Sequence, residues 1–146
     1  MISESSNTTF NKKEIDSVFS LITSTDNQLK EYFDKYLLEE YSNDVSSRLY
    51  YIDISEISRF IVNKIKSKQV DFVNDLFIKV EHILSDCDKE VEDLIVVGLF
   101  EGIQNTGGSE IDYYHGFDKW LLPISKVKWD NLIDTWEGTD WRKIKQ

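Results

Sequence analysis

Apolar residues recur at helical spacing along most of this chain. Ile15, Val18, Phe19 and Ile22 predict a first helix, with Asn11 as its cap and Glu14 three residues later in the capping-box position. Asp26 is a good cap for a second helix, whose stripe is Leu29, Tyr32, Phe33, Tyr36, Leu37 and Tyr41; Ser42-Asn43-Asp44 ends it. Ser55 can cap a third helix with Ile57, Phe60, Ile61 and Ile65 on its face. The lysines at 64, 66 and 68 suit the C-terminus of that helix. Asp71 can cap a fourth, in which Phe72, Val73, Leu76, Phe77, Val80, Ile83 and Leu84 follow a core-facing pattern closely.

The fifth predicted helix covers 88–105. Its middle, Leu94–Phe100, is apolar around most of the circumference and therefore predicts burial. Gly98 and Gly102 lie four apart on one face and would let a neighbouring helix approach closely. Glycine inside a helix costs about 1 kcal/mol relative to alanine, and close packing compensates for it. Thr106-Gly107-Gly108-Ser109 ends the helix, and 110–116 forms a loop. Residues 117–122 suggest a short helix stopped by Pro123. Ser125 can cap a last helix with Trp129, Leu132, Ile133 and Trp136 on one face, closed by Gly138. The segment 48–54 (RLYYIDI) reads either as a short strand or as an extended connector. The polar residues 1–9 read as a frayed tail. The expectation is an all-α fold: a single compact bundle of about six helices over 10–146, joined by short loops. Trp129 and Trp136 are expected in its core.

Composition removes several functions. The chain has 146 residues, 17 Lys plus Arg and 27 Asp plus Glu, for a net charge of −10. Such a charge disfavours binding to nucleic acid or to an anionic membrane and favours a basic partner. The single Cys87 precludes an internal disulfide. Two histidines, His82 and His115, with that cysteine do not make a usual zinc site, so no metal or cofactor is expected. The first residues lack the basic and apolar regions of a signal peptide, and no apolar run is long enough to cross a bilayer. The expected location is the cytoplasm.

The charge is also unevenly placed. Residues 75–118 hold eleven acids against two bases, Lys79 and Lys89, a local balance of −9. At about 100° per residue, an uninterrupted fifth helix would align Asp86, Glu90, Asp93, Val97, Glu101 and Gln104 on one narrow stripe. Like charges so spaced oppose one another by a few tenths of a kcal/mol each. Such a stripe reads either as a solvated face or as a recognition strip for a basic partner. The loop beyond it adds Asp112, Tyr113, Tyr114 and Asp118. Tyrosines are frequent anchors in protein interfaces, although one of this pair is expected to pack inward.

Catalytic constellations are weak by comparison. Glu101 flanks the buried helix and is the best single acid for paired-carboxylate hydrolysis. With so many acids, chance pairs carry little weight. Asp86 and Asp88 flank Cys87 and disfavour its thiolate. Gly107-Gly108 follows a helix instead of preceding one, so it is no phosphate cradle. The chain contains no Walker A, nucleophile elbow or HExxH sequence. The chain is read as a non-enzyme.

The segment EDLIVVGLFEGIQN, followed by a glycine-containing loop and FDKWLLPISKVKWDNLIDTWEG, resembles a group of small bacterial helical proteins. Those proteins share an apolar helix ending in E-x-x-Q-N and a C-terminal stretch with a proline and spaced tryptophans. Many of them are similar to immunity proteins of bacterial polymorphic or contact-dependent toxins. Here Glu101, Gln104 and Asn105 occupy the helix-end sequence, and Pro123, Trp129 and Trp136 the C-terminal stretch. The resemblance implies a cytoplasmic protein that binds one cognate toxin, such as a nuclease with a basic active site, without catalysis or cofactor. Asp86, Glu90, Asp93, Glu101, Gln104, Asp112, Tyr113, Tyr114 and Asp118 are the expected contacts. The alternative is an acidic nucleic-acid mimic or adaptor that binds basic host proteins.

Overall fold

A computed structural model describes residues 12–42 and 44–143. The polar tail 1–9 and the predicted cap Asn11 lie outside them. Among the described residues there are six helices and no strand. They are α1 (Lys12–Thr23), α2 (Asn27–Tyr41), α3 (Tyr50–Lys66), α4 (Val73–Ser85), α5 and α6 (Pro123–Glu137). The helix α5 is composite: an α-helical turn Lys89–Asp93, a π-helical segment Leu94–Phe100, and a further α-helical stretch Glu101–Gly107. Short 3-10 turns occupy Val45–Ser47, Gly108–Glu110 and Asp140–Lys143. No helix among the described residues is long and apolar enough to cross a membrane.

The helices bury the centre of the stripes their sequences present, although Tyr32 of α2 and Trp136 of α6 stay exposed. Leu29 and Phe33 of α2 and Ile54, Ile57, Ile61 and Val62 of α3 are buried. So are Leu76, Phe77 and Val80 of α4, together with most of the π segment. Asp26 caps α2 by accepting from the Leu29 N–H at 3.0 Å. The packing partner of α5 is α3, and that of α4 is α6. Gly98 and Gly102 permit the first contact. A Cβ on Gly98 would lie 2.6 Å from Ile54 Cγ2, and one on Gly102 would lie 2.6 Å from Ser58 Oγ. Ser58 Oγ also donates to the Leu99 carbonyl at 3.0 Å, inside the π segment. Phe77, Phe100, Phe117 and Trp129 form the aromatic centre, with ring centroids 4.6–6.2 Å apart.

Several starts differ from expectation for tertiary reasons. Only Arg48 and Leu49 of the segment 48–54 precede α3, with Leu49 extended, and Tyr50 already begins the helix. Asp53 draws that first turn inward. It is buried and accepts from the hydroxyls of Tyr36 and Tyr41 and from Arg48 Nε, each at 2.7–2.8 Å. Arg48 in turn lies over the Phe19 ring at 4.5 Å. Ser55 therefore sits inside α3 and donates to Ile52 O. Phe72 replaces Asp71 as the residue before α4. Residues 117–121 make a single turn, and Pro123 opens α6 at its first position instead of stopping a helix. Ser125 is not the cap of α6 but a fully buried residue of its first turn.

Candidate functional site

The nine residues expected to contact a partner fall into three places. The π segment explains why they do not form one stripe. The Glu101 N–H reaches back to Val96 O, five residues away, as well as to Gly98 O. Each such wide turn rotates the following positions relative to a regular α-helix. The acids before the segment and the residues after it therefore face different ways. Gln104 is the clearest correction. It is buried, and its Nε2 donates to the Trp129 carbonyl at 3.3 Å, so it is a core hydrogen-bonding group. Glu101 is half-buried beyond the same break.

The acids before the segment gather at the α4–α5 junction. Asp86 is the C-terminal cap residue of α4 and Asp88 the residue before α5, with Glu90 in its first turn. Sequence spacing did not reveal their fourth member, Glu14 of α1. Burial first, then the charge and hydrogen bond of Asp88 and the charges of Asp86 and Glu90, raise the Glu14 carboxyl above its ordinary 4.5. Cys87 lies within this group. Burial, followed by Glu92, Asp88 and Glu14, pushes its thiol up, against a thiolate role.

One turn further along α5, Asp93 pairs with Lys89 at 3.0 Å. Tyr51 of α3 lies close by, its Cδ1 3.5 Å from where a Gly98 Cβ would stand. Burial and then the Asp93 charge raise the Tyr51 hydroxyl. Tyr51 is 41% exposed and Val97, four residues beyond Asp93, 49% exposed. The acidic pole thus continues into an aromatic and aliphatic patch.

The loop residues serve a different structure. Asp112 Oδ1 accepts from the N–H groups of Tyr114 and His115, which shapes the loop. Both tyrosine hydroxyls donate to the Glu137 carboxylate of α6. Burial, then that carboxylate, holds the Tyr113 hydroxyl far above its ordinary range. Both rings are half-buried, so the pair divides less sharply than one inward and one outward. Tyr114 stacks on Trp141, and Trp141 Nε1 donates to Asp134 Oδ1 at 2.8 Å. Asp118 pairs with Lys126 at 2.9 Å and faces His115 Nδ1 at 3.3 Å. These groups fasten the 3-10 turn Asp140–Lys143 to α6.

One tryptophan expected in the core lies outside it. Trp141 is buried and Trp136 is 67% exposed. Trp129 and Trp136 share a face, but α6 outruns the core at its C-terminal end.

Other acids of the 75–118 stretch are internal partners. Glu81 caps α6, Glu92 meets Lys128, and Glu110 meets Lys66. Glu110 and Lys66 lie far from the junction, so the crowding of like charge concentrates at Glu14, Asp86, Asp88 and Glu90.

The family model described as Domain of unknown function (DUF7674) matches residues 19–137. The chain belongs to that family. The match spans from α1 to the end of α6, and so includes Asp86, Asp88, Glu90, Tyr51 and Glu137. Glu14 and Trp141 lie outside it. No curated protein and no solved structure matches the chain.

Proposed function

We propose that this protein is an immunity protein: it binds one cognate bacterial toxin in the cytoplasm and neutralises it by covering a basic active site, that of a nuclease. The observation that carries the reading is the acidic pole. Four carboxyls from α1 and the α4–α5 junction gather there, and burial, reinforced by the charges of Asp88, Asp86 and Glu90, raises the Glu14 carboxyl above its ordinary value. A cationic groove laid over them relieves that repulsion and speeds encounter. The neighbouring Tyr51 and Val97 supply the apolar contact that charge alone does not, because affinity rests on a few anchors. The mechanism is occlusion and needs no bond to be made or broken in this chain.

The test is co-expression of the untagged chain with the tagged protein encoded immediately upstream. The expected result is a tight one-to-one complex and rescue of growth. Absence of both the complex and the rescue would reject the reading. Capture of several unrelated basic proteins from a host lysate would favour a nucleic-acid mimic in its place.

A further inference from the structure

One cleft in this acidic molecule carries more cations than acids, three lysines to two carboxylates. It lies between the end of α3 and the loop that follows α5, and it encloses about 420 Å³, a size suited to small organic ligands. Lys66, Lys68 and Lys119 face two acids there, Glu110 and Asp112. Both acids are engaged, Glu110 with Lys66 at 2.7 Å and Asp112 with the two loop N–H groups. Lys68 and Lys119 make no ion pair among the described residues. Lys119 Nζ stands 4.7 Å from the centre of the Trp120 ring. Ile65, Val70 and Phe117 provide an apolar floor.

The backbone supplies an independent observation. Lys68 has φ +62°. It follows the cap residue Ser67, where its N–H bonds Ile65 O at 3.0 Å and the Gln69 N–H bonds Lys64 O at 2.9 Å. This double closure needs a left-handed residue, and glycine is the usual occupant. Lys64 and Lys66 in the last turn already complement the helix dipole. A lysine held in the left-handed region is strained, and such strain collects at ligand-binding positions.

We propose that this cleft binds a small organic oxyanion, a carboxylate or phosphate on an aromatic or aliphatic body, with Lys68 and Lys119 as its cations and Trp120 as its flat wall. The cleft stands at the opposite end of α5 from the acidic pole, roughly 25–30 Å away, and does not rest on the toxin reading.

The full chain is titrated with phenylacetate, with phenyl phosphate and with uncharged phenylethanol, followed by backbone and indole NMR signals. At least one anion should move Lys68, Gln69, Lys119 and the Trp120 indole saturably, about tenfold more tightly than phenylethanol. The relative affinity of the two anions identifies the oxyanion preferred. Lys68→Gly should raise Tm by about 1–3 °C while weakening the anion about tenfold. Lys119→Gln, which leaves α3 untouched, should weaken it similarly. Equal affinity for phenylethanol, no saturable shift with either anion, or unchanged affinity in both variants would overturn the proposal.

Discussion

Glu81 shows how an acid of the 75–118 stretch can hold the fold together. It lies within the acidic stretch, but its carboxylate turns onto the N-terminus of α6. Oε2 accepts from the Ile124 N–H at 2.8 Å, and Oε1 accepts from the Ser125 N–H and hydroxyl at 2.9 and 2.8 Å. Ser125 is fully buried, while Glu81 itself is half-buried. Losing a helix cap costs about 0.5–2 kcal/mol, and breaking a buried charged network costs about 3–5 kcal/mol. Glu81→Ala lies between these cases, and a loss of about 3 kcal/mol is expected in urea unfolding followed by circular dichroism. Glu81→Gln keeps an oxygen for Ser125 but turns an amide toward the Ile124 N–H, so about half that loss is expected. The acidity adds a signature. Burial alone would raise the Glu81 carboxyl, but the hydrogen bonds from Ile124 and Ser125 outweigh it and lower it below 4.5. The contribution of its charge is therefore present above pH 4.5 and is lost as pH falls through the lower folded-state value. The deficit of Glu81→Gln should shrink below about pH 4.5. A loss under about 1 kcal/mol for Glu81→Ala, or a Glu81→Gln deficit that persists unchanged into acid, would refute the reasoning.

The other stability predictions concern the π segment, the acidic pole and the tryptophans. Gly98→Ala should destabilise by about 1–3 kcal/mol in the same assay, because the clash with Ile54 outweighs the gain in helix propensity. Glu14→Gln should stabilise by a few tenths of a kcal/mol at pH 7. The raised Glu14 carboxyl opposes folding when charged, so this advantage should fade as pH falls toward 4.5. Trp129→Ala should cost about 3–5 kcal/mol, whereas Trp136→Ala should stay within about 0.5 kcal/mol of the parent.

The helical stripes were legible because they are local. Leu29 and Phe33, or Leu76, Phe77 and Val80, report burial through spacing alone. Gly98 and Gly102 even signalled where α5 meets α3. The start of α3 was not legible, since it depends on Asp53 meeting Tyr36, Tyr41 and Arg48 from other elements. Nor was the π segment, whose wide turn is supported by Ser58, distant in sequence, and whose rotation removes Gln104 from the acidic stripe. Trp136 misled because a shared helix face does not reveal where the neighbouring helices stop. Glu14 joins the acidic pole only through the packing of α1 on α4.

The central claim is that the acidic pole is what the partner sees. Its most direct test is the association rate of the purified protein with the protein encoded immediately upstream, the proposed partner. The rate is measured across ionic strength for the parent chain and for Asp86→Lys with Glu90→Lys. The account predicts that the double reversal slows association at low salt by about tenfold or more and flattens its salt dependence, with folding stability unchanged or slightly raised. An association rate and salt dependence equal to the parent's would contradict it.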